Sequence, residues 1–499
     1  MLPRHRWLVL VIVSSALLLI VVDMTVLYLA LPSLTHDLRA SGAEKLWIVN
    51  AYALTVAGLL PATGALGDRF GHRRFFVAGL AVFGVASAAA AFSPVPAALI
   101  ASRVGLAVGA AMMMPATLAI IRHTFEDEKE RSVAIGVWAA IASGGAALGP
   151  VVGGTLLEFF WWGSVFLINV PIVIAAFVLA LVFIPVRRGD PGRRFDPIAS
   201  LLVMIALVAV TFAIKEVGRQ DPSPATAAAV AGVGVVAAVA FVRRQRHSGA
   251  PMLDFSLFAN RIFTAGVIAA LVASAALMGM ELAISQRMQL VVGLSPLQAG
   301  LAILPIPLAA FVAGPLAGRV LPRLGTERVL WASLAVAGAG MLFYLIGHGA
   351  GLPVQIAAFT LTGAGLGAVM TAASNAMLLN APADKAGMVA SIEEVSYELG
   401  GSFGIAILGS LLAAIYTASF RMPAGAAVPD TVRDSIDRAL IAAEEAPDAV
   451  AATLTALARD AFDSAFVVVL GLAAVMLVAA SAGIAVAFRR GRIPEGNRA

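Results

Sequence analysis

Apolar runs of twenty or more residues recur along this chain, and that repetition constrains its fold more than any other feature. A helix that crosses the hydrocarbon core of a bilayer needs about 20 mostly apolar residues. Spans are expected near 7–31, 46–66, 75–93, 97–121, 132–156, 163–185 and 196–214. A second set is expected near 224–243, 260–290, 297–320, 327–348, 353–381, 386–416 and 462–488. Of the residues, 60% are apolar and 13% charged, against about 45–50% and about 25% in soluble domains. The fold class expected is an all-α polytopic membrane protein with fourteen transmembrane helices. The first run follows Arg4 and Arg6, but it is too long for a signal peptide and lacks a small-residue cleavage site, so it reads as a retained helix.

Composition excludes several functions. There are no cysteines, which removes disulfide frameworks, thiolate metal sites and thiol nucleophiles. The six histidines are scattered and form no metal-ligand spacing, so no metal site is expected. No Gly-Lys dipeptide occurs, so the phosphate-cradling loop of a nucleotide-driven pump is missing. No HExxH constellation occurs to suggest an intramembrane enzyme. The net charge of +5 does not point to nucleic acid, because the arginines sit in short gaps between apolar runs. Most of them fall in alternate connectors that share a side with both chain ends. The positive-inside rule then puts both termini in the cytoplasm.

One connector is long. Residues 417–463 carry acidic side chains such as Asp430, Asp434, Asp437, Glu444, Glu445 and Asp448. Within it, Val432, Ile436 and Leu440, then Val450, Leu454 and Leu457, recur at helical spacing. An external helical hairpin is expected, acting either as a solvated cap or in gating and substrate access.

The chain also contains a repeat. Residues 64–74 read GALGDRFGHRR between spans 2 and 3, and 314–328 read GPLAGRVLPRLGTER between spans 10 and 11. The second is a degraded copy, with Gly318 where Asp68 stands in the first. Two copies in matching loops suggest two six-helix bundles with two helices inserted between them. The expected division is 1–190 for the first bundle, 191–250 for the inserted pair, and 251–499 for the second bundle with its hairpin 417–463. Duplicated halves around a central site are the usual build of secondary transporters.

At these motifs the sequence resembles the major facilitator superfamily, and within it the fourteen-helix drug:proton antiporters. The loop residues Gly64, Asp68, Arg69, Gly71, Arg73 and Arg74 match its loop signature, with His72 at one basic site. In span 1, DMTVLYLALP (23–32) is similar to that group's first-helix motif, with Tyr28 in place of Asn. In span 5, 142–154 resembles the antiporter motif through Gly144, Gly145, Gly149, Pro150, Gly153 and Gly154. Span 4 keeps Arg103 but departs from the motif at Leu106 and Ala107. The resemblance covers the whole chain, and exporters of quaternary ammonium compounds and methyl viologen are the most similar in their WIVNAY stretch (47–52). It implies a major facilitator fold working by alternating access, with the loop as a gating latch and the glycines as packing or a hinge seam. It also implies a place in the bacterial cytoplasmic (inner) membrane.

An ionisable group in mid-span costs about 2.5–3.5 kcal/mol on insertion scales, so each one asks for a reason. Six stand out: Asp23, Arg103, Glu281, Glu393, Glu394 and Glu398. Five acids against one arginine cannot all be paired, which leaves negative charge for protons or for a cationic substrate. Glu394 and Glu398, four apart, share a helix face, while Glu393 points about 100° away from Glu394 and is the one most suited to structure. Asp23, Glu281, Glu394 and Glu398 are expected to line a cavity where protonation competes with a lipophilic cation. Arg103 either pairs with an acid to hold its helix or biases proton transfer. Asn50, Tyr52, Trp138 and Tyr397 are candidate cavity-wall residues. The reading is a monomeric, proton-coupled antiporter exporting quaternary ammonium compounds, ethidium-like dyes and methyl viologen from the cytoplasm. It needs no cofactor beyond the proton gradient. The alternative is export of a non-cationic antibiotic or metabolite.

Overall fold

The computed structural model describes residues 3–186, 196–217, 223–248, 251, 253–347, 349–382, 385–421 and 429–490. Among them no strand occurs. The chain opens with Pro3–Leu38 (α1), Gly42–Phe70 (α2), His72–Ala91 (α3), Pro96–Thr124 (α4) and Glu128–Phe159 (α5). Ser164–Leu167 (α6) and Asn169–Phe183 (α7) make one broken span, followed by Pro197–Val217 (α8) and Pro224–Arg246 (α9). Arg261–Gln286 (α10) ends in a π-helical turn, Arg287–Val291. Pro296–Ile303 (α11) and Pro305–Leu324 (α12) again share a span, before Thr326–Gly347 (α13) and Leu352–Leu378 (α14). Ala386–Ser419 (α15), the short Ile436–Glu444 (α16) and Asp448–Arg490 (α17) complete the chain.

Each of the fourteen apolar stretches lies on helix. Among the described residues, twelve helical spans are long and apolar enough to cross a membrane, and α2 is a thirteenth that bends by 50° between Leu60 and Ala62. The bend falls at Pro61, which has no backbone N–H to donate to the preceding turn. Several starts carry local signals. Ser41 and Glu44 form a reciprocal capping box on α2, and Ser295 and Gln298 form one on α11. The last helix begins at Asp448, well before its apolar stretch.

The helices divide into two compact units. The first holds 1–252, 281–304 and 405–466, and the second holds 253–280, 305–404 and 467–499. In the first, α1 packs on α5, α3 on α4 and α2 on α4, and α8 joins α2 and α9. In the second, α14 lies between α12 and α13. Small residues set these approaches, as expected where lipid offers no hydrophobic drive between helices. A Cβ on Gly367 would lie 2.3 Å from the Ala310 carbonyl, and one on Gly365 would lie 2.3 Å from the Ala337 nitrogen. The repeated loops share a turn device as well. Gly71 (φ 98°) separates α2 from α3 and Gly325 (φ 81°) separates α12 from α13. Each donates its N–H to the residue four before it, Gly67 and Leu321. That left-handed backbone suits glycine alone among ordinary residues.

Candidate functional site

The most buried charge in the first unit is a pair. Asp23 on α1 and Arg103 on α4 are 3% and 2% exposed. Arg103 Nη1 donates to Asp23 Oδ2 at 2.5 Å, and its Nε donates to the Ile48 carbonyl at 3.3 Å. The guanidinium lies 4.4 Å from the centre of the Tyr52 ring on α2, a cation–π contact that strengthens once desolvated. The other carboxylate oxygen, Oδ1, accepts from Asn169 Nδ2 on α7 at 3.4 Å. The same Nδ2 lies 3.3 Å from Ser87 Oγ on α3. Five helices thus meet at one acid. Asn50, two residues before Tyr52, is fully buried.

Against this network runs a seam of glycines. A Cβ on Gly149 would sit 1.8 Å from Thr25 Oγ1, one on Gly153 2.8 Å from Val26, and one on Gly145 3.1 Å from Leu18. Their spacing of four puts all three on one face of α5, pressed against α1. The next face meets α11: Gly154 lies against the Leu297 backbone, and Gly300 against the Pro150 carbonyl. Gly144 faces open space. Trp138, further along α5, donates its indole N–H to Thr117 Oγ1 at 3.1 Å.

In the loop between α2 and α3, His72 Nε2 lies 3.1 Å from Asp68 Oδ1. Arg73 donates to the Leu181 carbonyl at 2.5 Å, tying the loop to the last turn of α7. Arg69 is exposed and lies 5.6 Å from the centre of the Phe70 ring, Arg74 is exposed, and Gly64 lies within α2. A helix C-terminus carries partial negative charge, so a guanidinium there is favourable.

Of the remaining acids, Glu281 lies in the first unit, partly accessible on α10. The second unit holds Glu393, Glu394 and Glu398, all on α15. Glu398 is buried and the other two are partly accessible. Glu393 hydrogen-bonds Ser374, and Glu393 and Glu394 both act electrostatically on Tyr397. Tyr397 is fixed at both ends: its hydroxyl donates to the Met370 carbonyl at 3.3 Å, and its own carbonyl accepts from Ser274 Oγ at 2.6 Å. None of the ion pairs among the described residues includes Glu281, Glu393 or Glu394.

Several polar groups escaped the sequence reading. Asn169 and Ser87 are uncharged and lie in apolar runs, where a lone amide such as Asn169 is the one available signal. Lys215 and Glu216 lie just past the expected end of span 7, yet α8 runs to Val217 and buries both. Lys215 Nζ lies 4.0 Å from the centre of the Trp47 ring. Lys45, at the start of α2, is buried in an ion pair with Asp437 of α16 and donates to Gln286 at 2.7 Å. Nearby, Gly42 N donates to Asp434, Arg39 pairs with Glu445 at 2.9 Å, and His36 lies 3.0 Å from Glu444. The long connector therefore straps onto the turn between α1 and α2. Its residues 422–428 lie outside the described ones.

Outside the spans, two carboxylates are held charged. Lys385, 2.6 Å away, and Ser256 hold Asp254 down at about 2. The Arg244 guanidinium holds Asp196 below the usual carboxylate value. Among the described residues no group of His, Asp and Glu is arranged to hold a metal.

Its apolar helices make the chain a multi-pass membrane protein, and its family match makes it a transporter and not an enzyme. The family model described as Major Facilitator Superfamily matches residues 13–405. The chain belongs to that superfamily. It is 39% identical to the "Multidrug efflux pump LfrA" of Mycolicibacterium smegmatis, over 98% of this chain and 97% of the relative. It is 40% identical to the "Methyl viologen resistance protein SmvA" of Salmonella typhimurium, over 96% and 98%. Among solved structures, a bacterial homolog of the human lysosomal transporter Spinster aligns with a TM-score of 0.67 at 18% identity, over 99% and 100% of the two chains. The peptide transporter POT aligns with a TM-score of 0.65 at 16% identity, over 98% and 96%. Both carry the same fold.

Proposed function

We propose that this chain is a proton-driven antiporter that exports lipophilic cations through a bacterial inner membrane, with both termini in the cytoplasm. The observation that carries the reading is the charge balance of the spans. Arg103 takes up the charge of Asp23, while Glu281, Glu393 and Glu394 meet no cationic side chain among the described residues. An anionic surplus inside a membrane suits protons and cationic cargo, and repels anions. The cargo class agrees with the printed names of the two relatives, a multidrug pump and a methyl viologen resistance protein. Quaternary ammonium compounds, ethidium and methyl viologen share delocalised or shielded positive charge on an apolar body. Partly accessible carboxylates beside Tyr397 offer both electrostatic and cation–π attraction to such a body. The chain acts as a monomer and needs no cofactor: the proton gradient supplies the work, about 2.3 kcal/mol per charge per 100 mV.

The test is ethidium movement in proteoliposomes under an imposed pH gradient, with the gradient collapsed as the control. Gradient-dependent accumulation supports proton-coupled cation antiport. Absence of accumulation by folded protein overturns it and directs attention to uncharged cargo.

A further inference from the structure

We propose that Asn169 is a positioning residue for Asp23: its amide hydrogen-bonds the Asp23 carboxyl in both the charged and the protonated state, and so sets the pH at which the carrier works. The inference rests on the proton-antiport reading above. Asn169 is 1% exposed and opens α7 directly after the break from α6. Its Nδ2 is shared between Asp23 Oδ1 and Ser87 Oγ. Its Oδ1 is buried with no hydrogen-bond partner. A buried acceptor left unsatisfied is rare in native proteins and asks for a reason.

The reason lies in the two ends of an amide. A carboxylate only accepts, whereas a protonated carboxyl also has a hydrogen to donate. With Asp23 charged, the amide N–H₂ faces Oδ1, as in the structure. When a proton from the medium adds to Asp23, one O–H bond forms and the Arg103–Asp23 pair goes from neutral to singly positive. Half a turn of the Asn169 amide then presents Oδ1, the atom now idle, to accept that O–H. Of the two side chains seen to hydrogen-bond Asp23, Arg103 and Asn169, the amide alone has both functions. Arg103 only donates, and the Tyr52 ring lies against Arg103. The acids and bases of α5 lie in its end turns, and α6 and α7 carry no charged residue. The charged groups of α16 meet α1 only at its far end, through His36 and Arg39.

The test compares full-length protein with Asn169→Leu and with Ser87→Ala, by the pH profile of gradient-driven ethidium uptake and by infrared spectroscopy of the carboxyl C=O band. Asn169→Leu keeps the shape but removes a hydrogen bond to a charged group. The bond to the charged carboxylate is stronger than the bond to the neutral carboxyl, so its loss should move the profile's midpoint to higher pH by roughly one unit, and the carboxyl band should shift upward as its partner is lost. Ser87→Ala frees Nδ2 from its competing acceptor, so the midpoint should move the other way. Midpoints and bands that match the wild type overturn the inference while leaving proton antiport intact. If Asn169→Leu fails to fold, an unmoved midpoint and band in Ser87→Ala overturn it alone. Wild-type uptake that ignores the gradient overturns the antiport reading, and the inference with it.

Discussion

Asp23 and Arg103 lie 80 residues apart in the chain and 2.5 Å apart in space, sealed among five helices. Such a pair is a junction: either partner alone is a charge inside the membrane, and together they are nearly neutral. Removing one member of a buried pair costs about 3–5 kcal/mol, because the other is left uncompensated. Arg103→Ala and Asp23→Asn should therefore each lower thermal stability in detergent, the second because the guanidinium is left buried without its counter-charge. Asp23→Asn should also abolish the response of ethidium uptake to an imposed pH gradient. Melting curves and proteoliposome flux check the two arms.

Glu394→Gln and Glu398→Gln test the second unit. A charge-assisted contact is worth about 1.5–3 kcal/mol, so loss of the carboxylate that binds a cation should weaken ethidium binding about 10–100-fold. Equilibrium fluorescence titration measures it. Affinity unchanged in both variants would remove these acids from the site.

The seam between α1 and α5 predicts a sharp contrast at neighbouring positions. Gly149→Ala places a methyl 1.8 Å from Thr25 Oγ1, whereas Gly144→Ala meets nothing within 4 Å. Overpacking of this kind typically costs about 1–3 kcal/mol. Gly149→Ala should cut the yield of folded, transporting protein, and Thr25→Gly should partly restore it. Gly144→Ala should behave as wild type in both yield and flux.

Lys45→Met strands Asp437 in an apolar setting and should destabilise by about 3–5 kcal/mol. Adding Asp437→Leu should recover most of that loss, since the stranded charge is then gone. A double-mutant cycle of thermal melts reads the coupling directly.

On the surface, the Asp254–Lys385 pair has a defined pH signature. The folded carboxyl titrates at about 2, against about 3.9 for an unfolded aspartate. A depressed value stabilises the fold above pH about 4, and that stabilisation is lost as pH falls toward about 2. Asp254→Asn should flatten the melting temperature over that window. Lys385→Met should narrow the window by raising the folded value.

The spans were legible because lipid demands apolar length, and fourteen apolar stretches became helix. The turn glycine Gly71 was legible for a similar reason, as one residue type fits its backbone. What the pattern could not show was partnership. Asp23 reads in isolation as a substrate acid, and only the folded chain brings it to Arg103 and Asn169. Asn169 and Ser87 carry no charge and disappear into an apolar run. Lys45 and Lys215 sit at span ends, where a sequence reading assigns them to water and the fold buries them.

The Asp23–Arg103 pair also bears on how the chain enters the membrane. At roughly 5–20 residues per second of synthesis, the helix carrying Asp23 waits roughly 4–16 s for its partner, 80 residues behind it. During that interval α1 is held in the bilayer by its long apolar flanks, despite the acid. At 36 residues the first helix is longer than the roughly 20 that a span requires. Its surplus is what tolerates an orphan charge until α4 arrives.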